Sequence, residues 1–284
     1  MRTVSNPPNP FESTYRELLE PAPAATVEIF RDASREILSR NDSPDLPFRW
    51  SVNPYRGCFH GCAYCYARPS HEYWGFGAGT DFESKLVVKE DAATLLRQAF
   101  ERPSWKGELI VFSGNTDCYQ PLEASYGLTR ACLDVCADYR NPVGIITKGA
   151  LVLRDVDVLA RIQQKAWMRV YLSIPFADEE VARKMEPHAP SISKRFETMK
   201  ALSDAGIQTG ISIAPVIPGL NDEAIPELLE RAWAAGARMA TFSLLRLSGS
   251  VESVFLDRIK EIYPDRFSKI INRLREVRGG QLSE

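Results

Sequence analysis

The chain has 284 residues, 44% of them hydrophobic and 25% charged, which is ordinary for a globular enzyme with a large buried core. Its 35 basic and 37 acidic residues give a net charge of −2, which excludes a strong overall attraction to nucleic acid. No apolar run approaches the roughly 20 residues that span a bilayer, and the first eight residues lack the apolar core of a signal peptide. Three of the six cysteines are clustered, which favours a reducing compartment, so we expect a cytoplasmic protein without a membrane partner.

Residues 1–47 are expected to form an N-terminal extension, because the first part is rich in proline, asparagine and serine. Within this extension, the spacing of apolar residues over 27–40 predicts a weak helix. Turn residues over 41–47 would end that helix. Large apolar and polar side chains then alternate over 48–53, as they do in a β-strand.

Strands and helices alternate through the rest of the chain. Apolar runs predict further strands at 108–113, 143–147, 168–174, 207–216 and 240–245. Amphipathic stretches predict helices at 92–100, 121–139, 151–163, 179–185, 193–205, 223–235, 251–263 and 264–277. This alternation predicts an α/β fold with a parallel sheet, either open or curled like a barrel. We take 48–248 as the core domain and 249–284 as a C-terminal helical extension.

Three cysteines follow the first predicted strand within eight residues: Cys58, Cys62 and Cys65. Thiolates spaced so closely suit a soft metal centre, either zinc or an iron–sulfur cluster. Three protein ligands leave one metal position open, where chemistry can occur. His60 and His71 lie close enough in sequence to complete a zinc site, so a structural zinc or nucleic-acid-binding module is an alternative.

Polar residues also follow the next strands, where ligands gather in parallel α/β folds. Thr116 and Asp117 follow the second strand, Lys148 the third, and Ser173 ends the fourth. An acid, a lysine and hydroxyls suit a small molecule that carries an amine, a carboxylate and a sugar. The alternative for any one of these residues is an ordinary polar loop.

The three cysteines, with Tyr64 just before the third, resemble the signature of the radical S-adenosylmethionine superfamily. The stretch 53–73, the loop 113–117 and the pair at 147–148 are similar to the spore photoproduct lyase-like branch, and within it to a bacterial subgroup. The resemblance extends from about residue 48 to residue 248. It implies a partial (β/α)6 TIM-type barrel between an N-terminal arm and C-terminal helices.

The resemblance also implies two cofactors, a [4Fe–4S] cluster on Cys58, Cys62 and Cys65, and S-adenosylmethionine chelated at the unique iron. One electron would break a sulfonium C–S bond and yield methionine and a 5′-deoxyadenosyl radical, which would abstract a hydrogen atom from an unknown substrate. A reductant such as flavodoxin or ferredoxin would then be a partner.

For the cofactor site, the resemblance assigns five residues. Tyr64 would pack near the adenine, and Thr116 and Asp117 would receive the amino group. Lys148 and Ser173 would reach the carboxylate and the ribose. These roles match the side-chain chemistry, because an acid suits an ammonium group and a lysine suits a carboxylate.

At one position this chain departs from the pattern of spore photoproduct lyase, and the difference bears on the reaction. In spore photoproduct lyase, a cysteine two residues before the Ser/Thr–Asp pair returns a hydrogen atom to the product radical. This chain has Gly114 there, and the nearest thiol is Cys118, beyond Asp117. Cys118 is therefore either a substitute donor or a structural thiol, and lesion repair on DNA is an alternative function.

Three other features have two interpretations each. Cys132 and Cys136, four residues apart on a predicted helix, would face the core together, whereas a second cluster would need more cysteines. Arg195 would contact the cofactor carboxylate or be a solvated charge. The basic C-terminal residues would contact nucleic-acid phosphates or form an exposed helix end; these are Arg266, Lys269, Arg273, Arg275 and Arg278.

Overall fold

The computed structural model describes residues 6–7, 9–11, 26–42 and 48–282. Most of the predicted N-terminal extension lies outside these residues, so the three predicted domain boundaries stay predictions. The strands in the described part are β1 (Glu28–Arg31), β2 (Leu38–Arg40), β3 (Trp50–Val52), β4 (Tyr55–Arg56), β5 (Lys85–Val88), β6 (Ile110–Phe112), β7 (Val143–Thr147), β8 (Met168–Ser173), β9 (Thr209–Val216) and β10 (Met239–Leu244).

The helices of the same part are α1 (Thr80–Ser84), α2 (Ala92–Glu101), α3 (Leu122–Tyr126), α4 (Leu128–Asp138), α5 (Val156–Gln163), α6 (Glu179–Met185), α7 (Ile192–Asp204), α8 (Ile225–Ala234), α9 (Val251–Ile262) and α10 (Phe267–Val277). The single helix predicted over 121–139 is wrong, because Gly127 adopts a left-handed φ of 63° and separates α3 from α4. The helix predicted from residue 151 begins instead as 3-10 turns over Ala150–Asp155.

The main sheet has the strand order β10-β9-β8-β7-β6-β3-β2. Its six strands from β3 to β10 are parallel to their neighbours and follow one another in chain order. Successive right-handed β–α–β units produce this order when a sheet curls in one direction. The prediction of a partial (β/α)6 TIM-type barrel is confirmed.

The helix predicted over 27–40 is wrong, because this stretch contains two strands. β1 pairs in parallel with β5 in a separate sheet of order β1-β5-β4, and β2 pairs antiparallel with β3 at the edge of the main sheet. Hydrogen bonding to strands far along the chain outweighed a weak local periodicity. Only Ile37 of the apolar residues that suggested a helix is fully buried.

The two faces of the main sheet differ in burial, and this difference places the site. Along β8, Val170 and Leu172 are fully buried on the side covered by helices, whereas Arg169 and Tyr171 are half-buried. Side chains alternate along a strand, so Ser173, which is itself buried, lies on the same face as Arg169 and Tyr171. The inner, concave face therefore leads to Ser173 at the carboxyl end of β8.

The C-terminal helices are tied to the loops at this end of the barrel. The hydroxyl of Ser250, just before α9, donates to the Glu72 carboxylate beside the cysteine run. Arg266 Nη2 donates to the carbonyl of Gly219 at 3.1 Å, and Arg278 Nη2 to that of Leu245 at 2.5 Å. Within the described residues, no helix is long and apolar enough to span a bilayer.

Candidate active site

The cysteine loop starts at Gly57, which fits into a tight space. Its φ is +70°, and a Cβ there would lie 2.9 Å from both the Phe82 carbonyl oxygen and the His71 ring. The Gly57 carbonyl accepts hydrogen bonds from Thr116 Oγ1 at 2.5 Å and Gln120 Nε2 at 3.1 Å. The loop after β6 therefore fixes the first turn of the cysteine loop.

Arg68 fixes the other end of the same loop from inside the protein. It has no solvent-exposed area, and its guanidinium donates to the carbonyls of residues 61 and 62 on the loop and of residues 78 and 79 before α1. It also pairs with the buried Glu83 carboxylate at 2.6 Å. The sequence analysis assigned no role to Arg68, because its partners are mostly backbone carbonyls.

The three clustered thiols lie together in this loop. Cys58 and Cys62 are each 7% exposed, and Cys65 is half-buried. Burial and the neighbouring acid Asp117 raise the pKa of the Cys58 thiol to about 12, and burial likewise raises those of Cys62 and Cys65. All six cysteines are free. The thiols are therefore protonated near neutral pH and would release protons on binding a metal.

His60 and His71 are both held by protein contacts. Burial lowers the pKa of His60 to about 4, and its Nδ1 lies 3.5 Å from Asp117 Oδ2. His71 Nε2 lies 2.8 Å from the carbonyl oxygen of Lys85. Across the described ranges, no three His, Cys, Asp or Glu side chains converge as ligands of one metal ion.

The structure brings Tyr64, Lys148 and Ser173 together, as the sequence predicted. Lys148 Nζ donates to Ser173 Oγ at 3.0 Å and lies 5.8 Å from the centre of the Tyr64 ring. We call these three residues, on the inner face of the barrel beside the thiols, the lysine seat. Burial opposes the charged form of Lys148, but its interactions with Cys62 in the thiolate form and with the Glu186 carboxylate outweigh burial and raise its pKa.

Glu186 and Arg195 lie directly behind the lysine seat. Glu186 accepts a hydrogen bond from the Tyr64 hydroxyl, lies 3.7 Å from Lys148 Nζ and pairs with Arg195 at 2.5 Å. Burial alone would raise the pKa of Glu186, but Arg195 and Lys148 hold it below its ordinary value. The interpretation of Arg195 as a solvated charge is wrong, because it is 1% exposed. Sequence reasoning missed Glu186, which follows α6 without any motif.

Thr116 and Asp117 already have protein partners. Asp117 Oδ1 accepts from Thr147 Oγ1 at 2.6 Å and Tyr119 N at 2.9 Å, and Oδ2 accepts from Lys148 N at 2.7 Å. Asp117 therefore anchors the strand end that carries Lys148. Their predicted contact with an amino group stays a prediction.

The other thiols lie in the hydrophobic core. Cys118, Cys132 and Cys136 are each 0% exposed, and burial raises their pKa values. The prediction that Cys132 and Cys136 face the core is confirmed. Burial also supports the structural interpretation of Cys118, since a hydrogen donor has to reach a substrate.

Gly114 has no room for a side chain. A Cβ at this position would lie 2.7 Å from Ser51 Cβ and 2.8 Å from Ser51 Oγ, and contacts below 3 Å are not tolerated in packed interiors. The peptide is also held from outside, because the Tyr66 hydroxyl donates to the Gly114 carbonyl at 2.8 Å. A cysteine at position 114 would require Ser51 to move.

The chain matches one family model and is similar to several known proteins and solved structures. The Radical SAM superfamily model matches residues 52–232. A Mycobacterium tuberculosis (strain ATCC 25618 / H37Rv) protein named as uncharacterized is 38% identical over 234 residues, which are 82% of this chain and 68% of the relative. A Methanocaldococcus jannaschii protein, also named as uncharacterized, is 30% identical over 247 residues, 87% of this chain and 88% of the relative.

A solved structure of a spore photoproduct lyase variant, with bound AdoMet and dinucleoside spore photoproduct, is similar in fold. The TM-score is 0.60 at 18% identity, and the match covers 84% of this chain and 66% of the lyase chain. The chain thus spans about two thirds of the length of that lyase.

Proposed function

Because the chain belongs to the radical S-adenosylmethionine superfamily, we propose that it cleaves S-adenosylmethionine reductively and uses the resulting radical on a substrate. Membership makes it an enzyme whose cofactors are a [4Fe–4S] cluster and S-adenosylmethionine, and which needs a reductant. One observation carries the proposal: Lys148, at the carboxyl end of a barrel strand, lies beside Tyr64 and Cys62 of the cysteine loop.

We assign Cys58, Cys62 and Cys65 as the cluster ligands. They are free, soft donors on one rigid loop, and each would hold a different iron atom, so their sulfurs need not converge on one point. No three His, Cys, Asp or Glu side chains among the described residues converge on one metal ion, which weakens the zinc alternative. When bound and reduced, the cluster supplies the electron that breaks the C–S bond of S-adenosylmethionine, giving methionine and a 5′-deoxyadenosyl radical.

The lysine seat would bind the carboxylate of S-adenosylmethionine. Lys148 keeps its positive charge although it is buried, and its ammonium group would form a charge-assisted hydrogen bond with that carboxylate. The Ser173 hydroxyl accepts from Lys148 and keeps its own proton to donate. The Tyr64 hydroxyl is bound to Glu186, which leaves the ring as the surface for the adenine.

Thr116 and Asp117 would receive the amino group through their remaining lone pairs. The Thr116 hydroxyl donates to Gly57 and accepts from Gln120 Nε2 at 3.2 Å, so one lone pair of its oxygen is open. Asp117 Oδ2 accepts one short hydrogen bond, from the Lys148 amide. An ammonium group there would form charge-assisted bonds.

We place electron entry at Cys65, since it is the most exposed of the three thiols. Tyr66 beside it is 58% exposed, so this side of the loop is open to a partner. A flavodoxin or ferredoxin docked there would reach the cluster from its exposed edge.

The test is anaerobic reconstitution with iron and sulfide, followed by reduction with dithionite and S-adenosylmethionine. We expect about four irons and four sulfides per chain, with methionine and 5′-deoxyadenosine as products. Cys58→Ala, Cys62→Ala and Cys65→Ala should each prevent cluster assembly, whereas Cys132→Ala, a core thiol, should retain it. Zinc without sulfide, or no cleavage under reduction, would refute the proposal.

Lesion repair on DNA is less supported than this general activity. The position of the hydrogen-donating cysteine of the lyase is Gly114, where a side chain does not fit, and Cys118 is buried in the core. We therefore expect no turnover of an oligonucleotide that carries a pyrimidine dimer. Repair of that oligonucleotide by the reconstituted enzyme would reinstate this alternative.

A further inference from the structure

We propose that Glu186 and Arg195 are positioning residues, which hold Lys148 and Tyr64 in their binding geometry before S-adenosylmethionine arrives. This inference rests on the proposed function of the lysine seat. It concerns residues that contact the seat from behind and act on the cofactor only through Lys148, Tyr64 and Ser173.

The Glu186 carboxylate connects separate parts of the site. Its Oε1 accepts from Tyr64 of the cysteine loop, 122 residues away in sequence, and lies 3.7 Å from Lys148 Nζ at the end of β7. Its side chain has no exposed area. One carboxylate thus fixes the cysteine loop and the lysine relative to each other.

Arg195 fixes the carboxylate and the neighbouring strand end. Nη2 donates to Glu186 Oε2 at 2.5 Å, Nη1 to the Ser173 carbonyl at 3.0 Å, and Nε to the Pro190 carbonyl at 2.8 Å. Each of its three nitrogens is directed at protein. Arg195 therefore acts on the seat through Glu186 and through the backbone of Ser173.

The physical consequence is a lysine that is already ordered. A free lysine side chain loses much rotamer entropy when it is fixed on a ligand, and preorganisation removes that cost from the binding step. Without Glu186, Lys148 would lose its ion-pair partner at 3.7 Å and keep its hydrogen bond to Ser173. We expect Glu186→Gln to weaken the binding of S-adenosylmethionine about tenfold, or about 1.4 kcal/mol.

A double-mutant cycle with Lys148→Met tests whether the effect passes through the lysine. The affinity of each reconstituted variant for S-adenosylmethionine is measured by titration calorimetry without reductant, so that no cleavage occurs. Glu186→Gln should lower the affinity about tenfold in the wild-type background. It should lower it by a clearly smaller factor in the Lys148→Met background, because only the coupling through Tyr64 remains.

Three further variants separate the effect of position from the effects of charge and of folding. Glu186→Gln combined with Arg195→Gln removes one charge of each sign, so the net charge behind the lysine seat is unchanged and Arg195 is not left as a buried charge without its carboxylate. We expect the same tenfold loss of affinity, with a raised KM and an unchanged kcat at saturating cofactor. Glu186→Asp, which keeps the charge, should recover part of the affinity, and Glu227→Gln, at an exposed carboxylate, should have no effect.

The outcomes distinguish the inference from the proposed function. If the wild-type enzyme assembles a cluster but neither binds nor cleaves S-adenosylmethionine, the proposed function is wrong. If the wild type binds and cleaves it, two results would refute the positioning role and leave the proposed function standing. The first is an unchanged affinity for S-adenosylmethionine in Glu186→Gln and in Glu186→Gln/Arg195→Gln. The second is an equal loss of affinity on Glu186→Gln in the wild-type and Lys148→Met backgrounds.

Discussion

Arg68 offers the sharpest test of how the cysteine loop is held. Its guanidinium is fully buried and joins the loop to Glu83, which is 2% exposed. Arg68→Met keeps the volume but leaves the Glu83 carboxylate buried without its partner. Breaking a buried pair in this way costs about 3–5 kcal/mol. The lost bonds to four backbone carbonyls act in the same direction, so we take this range as a lower limit.

Such a loss is large beside a total stability of about 5–15 kcal/mol for a typical domain. Urea unfolding followed by fluorescence should show a lower midpoint for Arg68→Met. The double variant Arg68→Met/Glu83→Gln should recover part of the loss, because no unpaired carboxylate remains. Arg161→Met is the matched control, since Arg161 is 50% exposed in its pair with Asp134 and such surface pairs contribute below about 1 kcal/mol.

A milder variant covers the case in which Arg68→Met does not fold. Arg68→Lys keeps the charge but cannot reach both backbone segments with one ammonium group. We expect it to fold and to bind less iron per chain after reconstitution. If Arg68→Met lowers the free energy of unfolding no more than Arg161→Met does, Arg68 does not hold the cysteine loop in place.

Three further predictions follow from burial and packing. Gly114→Cys should cost about 1–3 kcal/mol of stability through overpacking, and adding Ser51→Gly should reduce the cost; an equal midpoint for the single variant and wild type would contradict the clash. In the metal-free protein at pH 8, iodoacetamide should modify Cys65 much faster than Cys118. Burial keeps the reagent away from the Cys118 thiol and raises its pKa. The rates are measured by mass spectrometry of peptides, and equal rates at the two cysteines would contradict the prediction. Burial favours a higher pKa for Asp32, but hydrogen bonds from Ser34 and the charges of Lys89 and Arg56 hold it below its usual value. A lowered pKa gives stability that is present above the unfolded pKa of about 3.9 and is lost as the pH falls through the folded value. The difference in the free energy of unfolding between wild type and Asp32→Asn should therefore be full at pH 6 and shrink below about pH 4. A difference that does not depend on pH would exclude this linkage.

The alternation of strands and helices could be predicted from the sequence with few errors. β7 and α6 have the predicted bounds, because a buried strand and an amphipathic helix each show a local period. The wrong predictions concern elements whose pairing partners lie far away in sequence, or that end at one unusual residue. β1 and β2 depend on pairing with β5 and β3, and the break at Gly127 depends on one left-handed residue.

The sequence alone predicts which residues would bind the metal. The covalent chain itself fixes the spacing of Cys58, Cys62 and Cys65, and thiols prefer soft metals wherever they lie in a fold. It also placed Lys148 and Ser173 at strand ends, since parallel strands bring their carboxyl ends to one side of a sheet. The geometry of the lysine seat follows from this arrangement.

Only the tertiary structure decided what supports these groups. A buried charge needs a partner of opposite sign, but periodicity reports which face is buried and not which residue lies across it. Glu186 and Arg195 therefore showed no sign in the sequence of lying behind Tyr64 and Lys148. The structure likewise shows that Thr116 and Asp117 form hydrogen bonds to the backbone of Gly57 and Lys148, because strand-end loops have to satisfy their own hydrogen bonds.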